Sequence, residues 1–411
     1  MTASRPSPPT PSDQRAAVTA GFLGWTLDAF DFFLVVMTLT AIGKEFGKPD
    51  AAIALSLTLT LLFRPVGAFI FGLLADRYGR KLPLMIDLVF YSVVEVLTGF
   101  APNYTTFLVL RALFGIGMGA EWGVGASLVM EKVPARYRGV VSGLLQQGYA
   151  LGYLLAAVCY LLVFPHWGWR PLFFIGGLPA LLALFVRARV KESEVWRETS
   201  HENWSGLGRA IISNWKLFLY LTILMAMMNM VSHGTQDMYP TFLERDWGFS
   251  PTTRAALTAF SQVGALIGGV LCGLYSDRLG RRRTIGLALA GAVLTVPVWA
   301  IAPTLPLLWA GAFIMQFFVQ GAWGVIPAHL NELSPDPVRG FLPGFAYQFG
   351  VAIASQIPHV QALFATRTSY AQAMALSAVI VFILGAVVAG LGPERRGVAF
   401  GLRVGTSNDP R

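Results

Sequence analysis

Twelve stretches of mostly apolar residues, each long enough to cross a bilayer, limit the fold of this chain more than any other feature. They lie at about 17–41, 51–74, 82–101, 105–131, 138–163, 170–188, 215–239, 251–275, 284–303, 306–328, 340–366 and 369–391. A membrane-spanning helix needs about 20 such residues. Lipid offers no hydrogen bonds to a bare backbone, so runs of this length predict helices. The expected fold class is therefore an all-α membrane protein with twelve transmembrane helices. Only 13% of the 411 residues are charged, about half the share in soluble domains. That excludes an ordinary soluble enzyme, a nucleic-acid reader and a disordered scaffold.

The polar segments divide the chain. Residues 1–16 are rich in Pro, Ser and Thr and read as a disordered cytoplasmic tail without a signal peptide's apolar core. Residues 17–188 hold six runs, residues 189–214 form a polar linker, residues 215–391 hold six more, and 392–411 form a second tail. The net charge of +9 reports orientation rather than a nucleic-acid partner. With both termini and the linker on one side, 23 of the 31 Lys and Arg fall there and six on the other, with Arg64 and Arg111 inside runs. Basic loops stay cytoplasmic, so both termini are expected inside a plasma or inner membrane. Cys159 and Cys272 lie within apolar runs and imply neither a disulfide framework nor a metal cluster.

The two halves repeat a loop. Gly72-Leu73-Leu74-Ala75-Asp76-Arg77-Tyr78-Gly79-Arg80-Lys81 follows the second run, and Gly273-Leu274-Tyr275-Ser276-Asp277-Arg278-Leu279-Gly280-Arg281-Arg282 follows the eighth. Glycine permits the tight turn. Asp76, Arg77, Arg80, Asp277, Arg278 and Arg281 are candidate latch residues that hold one conformation by pairing with neighbouring helices. The bland alternative is a pair of basic loops. This motif, present twice in twelve runs split by a linker, resembles the major facilitator superfamily. The resemblance implies two six-helix bundles around a central site, with alternating access by rocking.

Charges inside a membrane are costly, about 2.5–3.5 kcal/mol at a helix centre, so the few present are informative. The first run holds Asp28 and Asp31, and the fourth holds Arg111 followed by Gly115, Gly117 and Gly119. An arginine nearby favours the charged carboxylate, and its withdrawal favours protonation. The match with proton-coupled members of the superfamily suggests Asp31 with Arg111 as the proton switch; Asp28 is the rival, and a static salt bridge is the structural alternative. Arg64 lies about 12 Å inside the second run, placed for a substrate carboxylate or for a partner in the eleventh. Asp87 is expected to pair with Arg80 or Lys81. Glu95 and Glu121 are also at depth.

The seventh run is the most polar. Asn229, Ser232, His233, Gln236 and Asp237 fall within an arc of about 140° at 100° per residue, and lipid cannot satisfy them. Gly234 and Pro240 allow a break near the outer end. A purely structural hydrogen-bond network is the alternative. Asn229-x-x-Ser232-His233-x-Thr235-Gln236-Asp237-x-x-x-Thr241 matches the N-x-x-[ST]-H-x-[ST]-Q-D-x-x-x-T pattern of fungal lactate–proton permeases. The first run, from Gly24 to Phe32, is similar to the related sialate–proton symporter branch. The resemblance implies that Asn229, Ser232, His233, Gln236 and Asp237 take part in monocarboxylate binding or proton coupling. Gln146, Gln348 and Gln356 are weaker candidate ligand contacts.

The expected function is proton-coupled symport of a small monocarboxylate such as lactate, pyruvate or a short-chain acid. A sialic or other sugar acid is the transport alternative, and a binding-only membrane sensor the non-transport one. The partners are an organic anion, a proton and the bilayer, with a monomer as the working unit. No motif suggests an enzyme, a cofactor, a metal or nucleic acid.

Overall fold

The computed structural model describes residues 9–48, 50–199 and 204–401. The outer parts of both expected tails and linker residues 200–203 lie outside them. The apolar runs fold as helices, and no strand occurs among the described residues. The first half contains α1 (Pro11–Phe46), α2 (Asp50–Tyr78), α3 (Lys81–Gly99), α4 (Tyr104–Lys132), α5 (Arg138–Gln146), α6 (Gly148–Trp167), α7 (Arg170–Ile175) and α8 (Pro179–Arg189). Two linker helices follow, α9 (Glu194–Thr199) and α10 (Trp204–Ser213). The second half contains α11 (Trp215–Gln236), α12 (Tyr239–Arg245), α13 (Pro251–Leu279), α14 (Arg281–Ala300), α15 (Leu305–Leu333), α16 (Leu342–Ala354), α17 (Ile357–Ala365) and α18 (Tyr370–Leu391).

The helix ends follow local chemistry. The described part of the first tail is not disordered up to residue 16. Helix α1 already begins at Pro11, because Thr10 and Asp13 form a capping box around it. Asp13 then pairs with Lys191 at 3.1 Å and ties this end to the linker. The apolar run at 340–366 is not one helix. Helix α16 ends at Ala354, and Pro358 in the first turn of α17 cannot donate to the Ala354 carbonyl. Among the described residues, eleven helical segments are therefore long and apolar enough to cross a membrane, with α16 a shorter apolar helix. Pro240 acts likewise on the seventh run, which breaks between Gln236 and Tyr239 as expected.

The halves share one internal plan. Gly79 and Gly280 adopt φ of 102° and 96°, a region that side chains strain. Each turn joins two antiparallel helices and presents an arginine inward. The halves meet closely along α5 and α13. A Cβ at Gly143 would run into the Gly269 backbone, and one at Gly139 into the Gly273 carbonyl. Small residues let these backbones approach.

Candidate functional site

Two arrangements stand out, a charged seam at the end carrying the linker and a polar centre between the halves. In the seam, Arg80 Nη1 donates to Asp76 at 2.5 Å and Nη2 to Glu131 at 3.0 Å. In the second half, Arg281 donates to Asp277 at 2.9 Å and to both Glu332 oxygens at 2.8 and 2.9 Å. Each member is 201 positions from its counterpart. Arg80 sits outside the spanning segments. Burial opposes its charge, but Glu131 and Asp76 more than offset this and hold its pKa above the ordinary arginine value.

The seam also crosses between halves. Asp76 accepts from the amides of Gly340 and Phe341 at 2.8 and 3.0 Å, and Asp277 accepts from the Gly139 amide at 2.9 Å. Arg138 lies 3.8 Å from Glu332, and Arg339 lies 3.8 Å from Glu131. The expected latch residues Asp76, Arg80, Asp277 and Arg281 are thus brought together. Arg77 and Arg278 are not: Arg77 lies over the Tyr78 ring, and the Arg278 side chain is exposed. Sequence reasoning missed Glu131, Arg138, Glu332 and Arg339. The signal was present as a second repeat, Glu131-x-x-Pro134-x-x-x-Arg138-Gly139 against Glu332-x-x-Pro335-x-x-x-Arg339-Gly340.

Among the described residues, the hydrogen bonds and ion pairs joining the two halves run from this end to mid-depth. At mid-depth Gln348 Nε2 donates to the Gly119 carbonyl at 3.4 Å. Beyond that level His233 and Asp237 keep 33% and 36% of their side-chain surface exposed. The halves are therefore bonded to one another at the linker end, and none of the described bonds between them reaches the level of His233 and Asp237.

At the centre, the first half buries Asp28, Asp31, Asp87, Glu95 and Glu121 with two arginines, Arg64 and Arg111. The expected Asp31–Arg111 pair is not formed. Arg111 pairs with Glu95 of the neighbouring α3 and reaches Thr98 Oγ1 at 3.5 Å. Asp31 sits beside Glu95, against Gly176, and its carboxyl has no hydrogen-bond partner. Asp87 does not pair with Arg80 or Lys81. Arg80 is held by Asp76 and Glu131, while Lys81 Nζ donates to the Arg187 carbonyl at 2.9 Å. Asp87 is instead buried with neither carboxyl oxygen hydrogen-bonded. The Tyr91 hydroxyl of α3, which sequence reasoning did not single out, is buried and unpartnered.

Arg64 faces the interface. Its guanidinium lies 5.8 Å from the Tyr347 ring of α16, and its Nε and Nη2 are buried without partners. Aromatic rings surround this point. Trp122 packs on Tyr347 at 4.6 Å, Trp25 approaches it edge-on at 6.5 Å, and Tyr149 stacks on Trp25 at 5.7 Å. Trp25 and Trp122 of the first half and Tyr347 of the second thus line one space.

The seventh run is less uniform than its pattern. His233 Nδ1 pairs with Asp237 at 3.1 Å, one turn apart beside the Pro240 break. Gln236 donates to Gln316 at 3.0 Å and is tied to α15. Asn229 is buried, with its amide donating to the Met225 carbonyl of its own helix at 2.8 Å. Gln146 accepts from the Trp122 indole at 3.4 Å at the edge of the aromatic box. Gln348 bridges to the Gly119 carbonyl, and Gln356 is exposed at the α16–α17 break, donating to Ser355.

The sequence matches the model of the Major Facilitator Superfamily over residues 21–236 and 238–401. The chain belongs to the major facilitator superfamily. It is 28% identical over 91% of its length to a carboxylic acid transporter protein homolog of Saccharomyces cerevisiae, covering 67% of that protein. It is 29% identical over 94% of its length to a probable 4-methylmuconolactone transporter of Cupriavidus pinatubonensis, covering 92% of it. Its fold matches a proton:xylose symporter, XylE, solved with 6-bromo-6-deoxy-D-glucose, with a TM-score of 0.73 over 95% of this chain and 98% of that one at 17% identity. The relatives are transporters of organic acids and related metabolites, and the chain is a transporter rather than an enzyme.

Proposed function

We propose that this superfamily member is a proton-coupled symporter of a small monocarboxylate, with Arg64 holding the carboxylate. Two buried, unpartnered Arg64 N–H groups at an aromatic-walled interface carry the reading. A guanidinium fork matches a carboxylate in geometry and charge. The rings of Trp25, Trp122, Tyr149 and Tyr347 give the acid's apolar part a surface to replace water.

The proton side rests on the charge balance at the centre. Five acids share the first half with two arginines, so protons are the natural counter-charge when no substrate is bound. Asp31, unpartnered beside the Glu95–Arg111 pair, is the chosen carrier, with Asp28 next to it. The partly exposed His233–Asp237 pair offers a first stop for proton or anion. With anion and proton aboard, fewer uncompensated charges enter low dielectric as the halves close, and the cycle is electroneutral at one proton per monoanion. The membrane is expected to be the plasma or inner membrane, with the basic linker end cytoplasmic.

Proteoliposomes with an inward acid gradient test this. Wild type should accumulate lactate or pyruvate with little response to membrane potential. Arg64→Gln should raise KM by about 10²-fold, in line with the ~1.5–3 kcal/mol of a hydrogen bond to a charged group. An unchanged KM in that variant removes Arg64 from the site. Uptake that ignores the acid gradient removes the proton coupling. Competition by sialate stronger than by lactate would move the substrate to the sugar acids.

A further inference from the structure

We propose that the second half carries a binding cleft for the phosphate headgroup of an anionic phospholipid at its linker-end surface. The cleft, of about 860 Å³, lies where α13 turns into α14 beside the end of α18. Arg278, Arg282, Arg283 and Arg396 line it with one acid, Glu394. That acid is already engaged, accepting from the Arg282 amide at 2.9 Å. Arg278, Arg283 and Arg396 are exposed. Arg282 Nε donates to the Ala389 carbonyl at 3.2 Å and Arg396 to the Arg278 carbonyl, but their other nitrogens remain, and four positive charges against one carboxylate suit a phosphate.

The matching place in the first half shows what differs. There Glu192 caps the turn in the same manner, accepting from the amides of Arg80 and Lys81 at 2.9 and 3.1 Å. Two residues beyond that cap stands Glu194, bound to Lys132 at 2.7 Å; two beyond Glu394 stands Arg396. Leu82 occupies the position of Arg283. The linker covers the first turn, with the Trp196 indole donating to the Asp76 carbonyl at 2.9 Å. The second turn is more basic and has an open cleft beside it.

The cleft continues into a lipid-facing surface, which favours a lipid over free phosphate. Leu287 lines it and is 62% exposed; Leu294, two turns along the same face of α14, is 80% exposed, and Leu391 at the end of α18 is 82% exposed. A diacyl lipid can lay a chain along these leucines with its phosphate among the arginines. Basic pockets at the ends of membrane helices recognise anionic headgroups in this way.

Native mass spectrometry of the purified full chain, titrated with dioleoyl phosphatidylglycerol or dioleoyl phosphatidylcholine, tests the site. Wild type should retain phosphatidylglycerol preferentially. R283Q/R396Q should weaken that binding by about tenfold or more, while R283K/R396K should keep most of it. R396Q alone, on an exposed turn, should show a smaller loss. Equal retention of the two lipids, or equal phosphatidylglycerol binding by wild type and R283Q/R396Q, overturns the proposal. Millimolar inorganic phosphate should not displace the lipid; full displacement would leave a simple anion site and also overturn it.

Discussion

Asp76 in the first half accepts two backbone hydrogen bonds from the second, at Gly340 and Phe341, and its counterpart Asp277 accepts one, at Gly139. The latch is symmetric in sequence and unequal in bonding. Hydrogen bonds to a charged group contribute about 1.5–3 kcal/mol each. Asp76→Ala should therefore open the linker end more than Asp277→Ala. In a background with Cys159 and Cys272 replaced by serine, a cysteine at Ser127 reports this through labelling by an impermeant maleimide. Equal labelling in the two variants would contradict the bonding asymmetry.

Glu95 and Arg111 form a buried pair, and Asp31 beside them has no partner. Removing one member of a buried pair costs about 3–5 kcal/mol. Glu95→Gln should lower thermal stability markedly, whereas Asp31→Asn should leave it near wild type and abolish acid-driven accumulation. Asp31→Asn proteoliposomes that still concentrate substrate would assign the proton to another acid, with Asp28 next in line.

His233 and Asp237 are partly exposed, so their pair adds little to folding, about 0–1 kcal/mol. His233→Ala should fold normally yet lose substrate accumulation. A variant with unchanged KM and unchanged dependence on the acid gradient would remove this pair from the transport path.

Gly143 tests closure by sterics alone. A methyl there meets the Gly269 backbone, which has no side-chain freedom with which to yield. Gly143→Ala should favour opening at the linker end and slow turnover at least tenfold, with each half's own packing intact. Wild-type turnover in this variant would mean the α5–α13 approach is not needed for the cycle.

The spans were legible because lipid imposes a length and a composition on every crossing helix. The break at Pro240 was legible because a missing N–H acts locally. The latch was half legible: the turn motif carries Asp76 and Arg80, but Glu131 and Arg339 come from distant segments whose repeat is weaker. The centre was least legible. Arg111 chose Glu95 over Asp31, and Asn229 turned to its own backbone. A sequence lists charges by depth, while partnership depends on which helix faces which.

Sequence alone thus determined the membrane class, the helices, the two-half repeat and the short set of buried charges, because solvent and local backbone chemistry act on each segment separately. Tertiary structure decided the pairings across the halves, the placing of Arg64 among aromatic rings with its Nε and Nη2 unpartnered, and the closure at one end. Those depend on helix packing, which brings together residues as far apart in sequence as Asp76 and Phe341, 265 positions.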